Sequence, residues 1–476
     1  MTTGTRAAAP GRLDPALLKL AGILVAGAIA PLLDSTIVNV AIARLGHDLH
    51  APVATIQWVI TAYLLALGMA IPLTGWAEGR FGARRMWLSS LGLFLLGSVL
   101  CGLAWNVASL IAFRVLQGAG GGLMMPVMQT LLMRAAGGRQ IGRLMAAISM
   151  PALVGPILGP VVGGLIAGNA GWRWIFYVNV PLCLAALALA WRGLPDTPPR
   201  GGAGPDITGM VLLSPALAAF IYGLSQVKGG FGRPWVLVPL ATGTLLLAAF
   251  TVHALRTPAE PAIDLRLFRK RAFAASAALL FLSGLSLFGA MLLLPLYYQQ
   301  VRGHGVVEAG LLLAPQGLGS LLVRTRLGAL TDRLGPRPVV LACLVLTVLG
   351  TLPFAGAGPD AGEWLLGASL VVRGAGLGGV TLAVMTAAYQ GLGPAEIPHA
   401  SSATRIIVQI GGSFGAAVLA VVLQRQLAGG AAPSTAYAHT FWWSLAFTAL
   451  AVAPALALAG PGHAARSPAG SSRRGE

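Results

Sequence analysis

Fourteen apolar stretches punctuate this sequence, near residues 17-42, 54-75, 86-104, 108-133, 141-167, 174-191, 207-227, 234-255, 273-298, 307-330, 338-356, 364-390, 399-424 and 438-460. Each is long enough to cross about 30 Å of hydrocarbon as a helix. Lipid tolerates a spanning segment only when its backbone amides and carbonyls are satisfied internally, so the pattern predicts an all-α integral membrane protein. Composition agrees. With 56% hydrophobic and 10% charged residues and a mean hydropathy of +0.78, the chain fits no soluble globular class.

Fourteen is even, so both termini are expected on one side, and Lys and Arg decide which. Of the 32, taking those near span ends with the adjoining loops, six are assigned to the opposite side (Arg44, Arg173, Lys228, Arg233, Arg302, Arg425) and three to span interiors (Arg114, Arg373, Arg405). The remainder fall with the termini, which are therefore expected to be cytoplasmic. The net charge of +18 is explained by that topology, and without a basic patch or motif nucleic acid is not an expected partner. Cys101, Cys183 and Cys343 lie in apolar runs with no metal or redox spacing. Met1 to Leu20 lacks the layout of a cleavable signal, and the first span is expected to direct its own insertion.

Within the first span, Asp34 is the one acid set well inside an apolar run. A carboxylate there costs roughly 2.5 to 3.5 kcal/mol on insertion scales and faces a wet cavity or a partner, marking an ion or substrate path. Pro31 strips the Gly27 carbonyl of its helical donor, which suits a cavity-facing position better than a lipid-facing one. On the fourth span Arg114 shares a stripe with Gln117, Gly118, Gly121 and Met125, turning a cation and an amide inward where glycines admit a neighbouring helix. If Asp34 and Arg114 meet, the carboxylate's proton affinity changes with that contact, as a proton carrier requires. Arg405, with Gln409 and Gly412 on its face, is ranked above Arg373, which can snorkel. Glu308 is expected to serve a helix start near the outer surface.

The chain repeats itself. Gly75-Trp-Ala-Glu-Gly-Arg80-Phe-Gly82-Ala-Arg84 returns 253 residues later as Gly328-Ala-Leu-Thr-Asp332-Arg333-Leu-Gly335-Pro-Arg337, and Gly118-Ala-Gly-Gly-Gly returns 256 residues later as Gly374-Ala-Gly-Leu-Gly. Nearly one offset for two motifs predicts two six-helix halves, as in secondary transporters. The expected division is an N-terminal bundle at 1-195, two inserted spans with linkers at 196-271, a C-terminal bundle at 272-462 and a cytoplasmic tail at 463-476. Trp191 to Asp206 reads as linker. Arg256 to Arg271, with Ile263, Leu265, Leu267 and Phe268 beside four cations, is expected along the membrane interface.

In the fifth span, Gly155, Gly159 and Gly163 are four apart, as are Pro156, Pro160 and Gly164, giving two stripes for close helix contact and a bend. The loop motifs, with Gly75, Glu78, Arg80, Gly82 and Arg84 in the first copy and Asp332, Arg333 and Arg337 in the second, suit a latch whose charges clasp helix ends in one state and release in another. Taken with Leu33-Asp34-Ser-Thr-Ile-Val-Asn39-Val-Ala, Gln57-Trp58-Val-Ile-Thr61-Ala-Tyr63 and Arg114-Val-Leu-Gln117-Gly118, these motifs make the chain resemble the major facilitator superfamily, in particular its fourteen-helix drug:proton antiporters. The resemblance implies a 6+2+6 arrangement of two pseudo-symmetric bundles, exchange rather than uptake, and proton transfer involving Arg114. Gly79 stands where the family pattern carries the acid of Asp332, so the first latch is expected to be rewired.

The expected function is proton-coupled export of lipophilic small molecules, with a dedicated exporter of one natural product or lipid-like metabolite, or a proton-independent facilitator, as alternatives. Cavity walls are expected from Asn39, Gln57, Trp58, Tyr63, Gln117, Met124, Phe281, Phe288, Tyr389, Arg405 and Gln409, aromatic surface with few polar groups. One acid inside a span argues for a neutral, zwitterionic or singly charged compound over a divalent cation. Lys19, Lys228 and Lys270 are the only lysines and none lies in a phosphate loop, so ATP-driven pumping is not expected. No nucleophile and base constellation points to an enzyme, and His47-Asp48-Leu-His50 reads as an exposed loop. Protons, substrate and lipid are the expected partners, no cofactor is expected beyond the proton gradient, and the expected unit is a monomer.

Overall fold

The computed structural model describes residues 14–40, 42–136, 144, 166, 170–196, 204, 206–227, 230–257, 261–356 and 361–458. Every regular element among them is helical. In order these are α1 (Pro15–Val40), α2 (Ile42–Asp48), α3 (Val53–Ala70), α4 (Leu73–Phe81), α5 (Ala83–Gly102), α6 (Val107–Ala136), α7 (Trp174–Tyr177), α8 (Asn179–Gly193), α9 (Ile207–Ser225) and α10 (Pro234–Arg256). A 3-10 turn at Leu265–Arg269 leads into α11 (Arg271–Gln300), α12 (Val306–Leu312), α13 (Ala314–Leu334), α14 (Pro336–Gly356), α15 (Glu363–Tyr389), α16 (Ile397–Ala428), α17 (Pro433–Leu450) and α18 (Val452–Leu456).

Among the described residues, ten helical stretches are long and apolar enough to cross a membrane, or eleven with α3 and α4 counted as one span bent by 56°. Pro72, at the break, has no N–H to carry the ladder through. Helices occupy every expected span that is described; of 141-167 only residues 144 and 166 are described, and the stripes of Gly155, Pro156, Gly159, Pro160, Gly163 and Gly164 lie outside the described residues. The tail at 463-476 lies outside them too. Among the described residues four expected spans are broken: at Ile71 and Pro72 between α3 and α4, at Val178 between α7 and α8, at Leu313 between α12 and α13, and at Ala451 between α17 and α18. Helix α13 is too polar to count among the ten because it carries Gln316, Arg324, Arg326, Asp332 and Arg333. Arg324, grouped with the terminus-side charges by the sequence pattern, is buried within it.

The repeat is visible in packing. A Cβ on Gly97 would stand 2.6 Å from Gln117 Cα, and one on Gly350 would stand 2.7 Å from Arg373 Cα. Likewise Gly118 faces the Tyr63 carbonyl as Gly374 faces that of Gln316, and Gly120 meets the backbone of Phe94 as Gly376 meets that of Thr347. The trio α3, α5 and α6 is thus rebuilt as α13, α14 and α15. Small residues at these crossings let backbones meet, the main source of helix association in lipid. Both loop motifs turn on a left-handed glycine, Gly82 at φ 84° and Gly335 at φ 81°, whose N–H closes onto Glu78 O and Thr331 O.

The connector before α11 differs from expectation. Ala262, Ile263 and Leu267 are buried in the core that also holds Trp87 and Phe273, so packing against the protein overrides the interfacial pattern; Phe268 remains exposed. Asp206 holds this region together. It caps α9 at Gly209 N (2.8 Å), accepts from Ala262 N (2.9 Å) and meets His253 Nε2 of α10 at 2.7 Å.

Candidate functional site

Asp34 lies one turn beyond Pro31 in α1 and is fully buried. Three donors converge on it. Arg114 Nη1 reaches Oδ2 at 2.5 Å, while Gln117 Nε2 and Asn179 Nδ2 donate to Oδ1 at 3.0 and 3.1 Å. A carboxylate removed from water needs this many partners.

Each partner is itself held. The Arg114 Nε donates to Val59 O at 3.1 Å, Nη1 also reaches Gln117 Oε1 at 2.8 Å, and the guanidinium lies over the Tyr63 ring at 3.9 Å. The Tyr63 hydroxyl donates to Pro31 O at 3.4 Å. Asn179, at the start of α8, bridges to Ser98 Oγ at 3.0 Å, and Ser98 donates to Phe176 O at 2.9 Å. Cys101 Sγ approaches Gln117 Oε1 at 3.6 Å. Close approach of α5 and α6 at Gly97 places Gln117 here. The assembly is a buried ion pair whose carboxylate also accepts from two amides on separate helices, α6 and α8.

The structure brings together Asp34, Arg114, Gln117 and Tyr63, which the sequence singled out, and adds Asn179 and Ser98, which it did not. Asn179 is a lone amide in an apolar span, the signal that singled out Asp34.

Other expected wall residues divide. Arg405, Gln409, Phe281 and Phe288 are half-buried; Phe288 packs on Gly412, and Phe281 lies 6.2 Å from Phe414. Arg405 makes no hydrogen bond or ion pair with the described residues and lies in electrostatic range of Tyr63 from the other half. Met124, by contrast, is sealed in the apolar core, so it faces no cavity. Trp58 points away from Asp34 and stacks on Tyr222 of α9 at 5.6 Å, lining an outward crevice with Val238 and Pro239 of α10. Gln57 is exposed on α3, and the Asn39 side chain lies outside the described part of α1. Tyr389 belongs to a closure: its hydroxyl is 3.1 Å from Gln129 Oε1 and from Ser401 Oγ, and Thr130 Oγ1 meets Ser401 Oγ at 3.4 Å. These bonds join the halves at the end bearing the loop motifs, where Gly75 also faces His399.

In the first loop motif, Glu78 turns inward, 3.9 Å from Arg134 at the end of α6, instead of pairing with Arg80, which is exposed. Arg84 pairs with Asp196 and donates to Trp191 O at 2.6 Å, clasping the end of α8. Asp332 and Arg333 are exposed and Arg337 half-buried.

Arg373 does not snorkel. Fully buried, it donates to Gln316 Oε1 (2.8 Å), Thr351 Oγ1 (3.1 Å) and Ser286 O (3.4 Å), all neutral. At the opposite end from the loop motifs, Arg302 donates to Glu363 at 2.6 Å, and His304 sits between Glu363 (3.2 Å) and Glu308 (3.0 Å). The Glu363 hydrogen bond, aided by Glu308 and opposed by slight burial, holds the His304 pKa above its ordinary 6.5.

A model of the Major Facilitator Superfamily matches residues 24–416. The chain is 40% identical over 421 residues to the multidrug resistance protein B homolog of Mycobacterium tuberculosis (strain ATCC 25618 / H37Rv), covering 88% of this chain and 78% of that protein. It is 33% identical over 423 residues to the tetracenomycin C resistance and export protein of Streptomyces glaucescens, covering 87% and 76%. Among solved structures, the proton:xylose symporter XylE shares the fold with a TM-score of 0.65 at 14% identity, over 92% of this chain and 94% of that one.

Proposed function

The chain belongs to the major facilitator superfamily, and on that premise we propose that it exports lipophilic small molecules across the bacterial inner membrane in exchange for protons. It is a transporter and not an enzyme. The proposed frame has fourteen spans, 6+2+6, with both termini cytoplasmic, the two halves rocking about a midplane site. The relatives named for drug resistance and for export of tetracenomycin C support efflux as the direction.

The observation that carries the coupling is the fully buried Asp34 held by Arg114, Gln117 and Asn179. These donors come from α6 and α8, so relative movement of helices changes the number of partners on the carboxylate. In the packed state Asp34 pairs with Arg114. Loosening the pair while water enters from outside lets it take a proton, and restoring the pair toward the cytoplasm expels that proton. The bonds of Tyr389 and Thr130 to the facing half would hold the cytoplasmic end shut meanwhile. Glu78 with Arg134, and Arg84 with Asp196, would act as the rewired first latch.

The test uses inside-out vesicles with an acidic interior, carrying wild type or Asp34→Asn, challenged with lipophilic compounds while internal pH is followed. Substrate-triggered proton release by the wild type alone is expected. Equal release by both proteins would place the proton site elsewhere, and equilibration of labelled substrate without proton movement would replace antiport by facilitated diffusion.

A further inference from the structure

Among the described residues, intramembrane charge is divided unequally between the halves. In the first half Asp34 and Arg114 cancel. In the second, Arg324, Arg373 and Arg405 all lie within helices, and among the described residues no carboxylate is paired with any of them. Arg373 has neutral acceptors only, and the buried Arg324 leaves Nε and Nη1 without a partner. The sequence of α16 contains no Asp or Glu at all. Unopposed guanidinium groups in a low-dielectric setting give the surrounding space a positive potential, which favours anions and repels cations.

Arg405 is the member of this group placed to meet a ligand. It is half-buried rather than enclosed, has no protein partner among the described residues, and shares the Tyr63 neighbourhood with the Asp34 site. Phe281, Phe288 and Phe414 supply aromatic surface in the same half. A guanidinium offers a planar fork of donors that fits a carboxylate in two parallel hydrogen bonds.

We propose that Arg405 is the anion-receiving residue of the transport site, and that its substrates are lipophilic compounds bearing one weakly acidic group, carboxylate or phenolate, rather than cations. This rests on the export reading for its biological sense, but binding tests it without a proton gradient. Compounds carrying a fixed positive charge are disfavoured by the same field that seats the anion.

The probes are 9-anthracenecarboxylate, its methyl ester and 9-(aminomethyl)anthracene, one ring system with negative, neutral and positive charge. Binding to purified protein in nanodiscs is followed by fluorescence anisotropy at pH 7. The carboxylate is expected to bind about tenfold more tightly than the ester, ~1.4 kcal/mol, and the ammonium more weakly than the ester. Arg405→Lys should keep that order, Arg405→Gln should bring the carboxylate-to-ester ratio to about one, and Arg405→Glu should favour the ammonium. Equal binding of the three probes by the wild type, no binding of any, or an unchanged ratio in Arg405→Gln would overturn the assignment. The wild-type comparison stands even if a variant fails to fold. If the order holds but no probe moves in energised vesicles, the export reading fails while the anion site survives.

Discussion

The buried pair of Asp34 and Arg114 makes a quantitative claim about stability. Removing one member of a buried ion pair typically costs about 3–5 kcal/mol, because the other charge is stranded away from water. In Asp34→Asn the stranded group is Arg114, which keeps Gln117 Oε1, the Val59 carbonyl and the face of Tyr63. A desolvated cation over an aromatic ring is worth about 2 kcal/mol, so the loss should fall near the lower end, about 3 kcal/mol. Arg114→Gln strands the carboxylate with the Gln117 and Asn179 amides. Replacing both charges, Asp34→Asn with Arg114→Gln, should return stability to within about 1 kcal/mol of wild type, since neutral substitution of whole buried pairs is often free of cost. Unfolding in mixed micelles, read by tryptophan fluorescence at pH 7, gives all four corners of the cycle. Additive losses in the double variant would refute the claim that the two charges compensate each other.

Gly97→Ala would drive a methyl to 2.6 Å from Gln117 Cα; as helix backbones yield little, it should cost roughly 1–3 kcal/mol in the same assay and reduce proton release by moving Gln117 from Asp34. Gly82→Ala and Gly335→Ala each force a side chain into left-handed backbone at φ 84° and 81°, and should destabilise by about 1–3 kcal/mol apiece, summing in the double variant because the turns are separate. His304 gains its proton more readily in the folded protein, so its contribution is fully present below its ordinary 6.5 and fades as pH rises through the raised folded value. His304→Gln should therefore flatten the decline of melting temperature across that interval, measured from pH 5 to 9. Trp58→Ala should leave Asp34-dependent proton release intact, since the ring lies on Tyr222 outside the site.

Asp34 and Arg114 were legible because an ionised group in an apolar run has few physical excuses. The repeat was legible because glycines at helix crossings admit no substitute, and the packing of Gly97 and Gly350 against matching partners follows the same offset. Facing was harder. Trp58 and Tyr63 share α3 but point to different neighbours, and sequence alone does not say that α9 covers one side of that helix. Met124 has the size and softness of a wall residue but lies behind the glycine face, inside the core. The connector at Ala262 to Arg269 carries an amphipathic pattern that suits a membrane surface or a protein surface equally, and the difference was made by Asp206 accepting from Ala262. Arg373 escaped notice as a fully enclosed cation because its acceptors come from three separate helices.

The inserted pair has a mechanical meaning. Helix α9 is fastened to the first half where Ser214 donates to Met69 O at 2.8 Å and Tyr222 carries Trp58, while Leu224, Val227 and Val236 pack on Ala417 and Val421 of α16 in the second. The inserted pair therefore touches both halves, by hydrogen bond and ring stacking on one side and by aliphatic contact alone on the other. On the proposed rocking motion, it would act as a gasket that closes this seam to lipid while the aliphatic side slides.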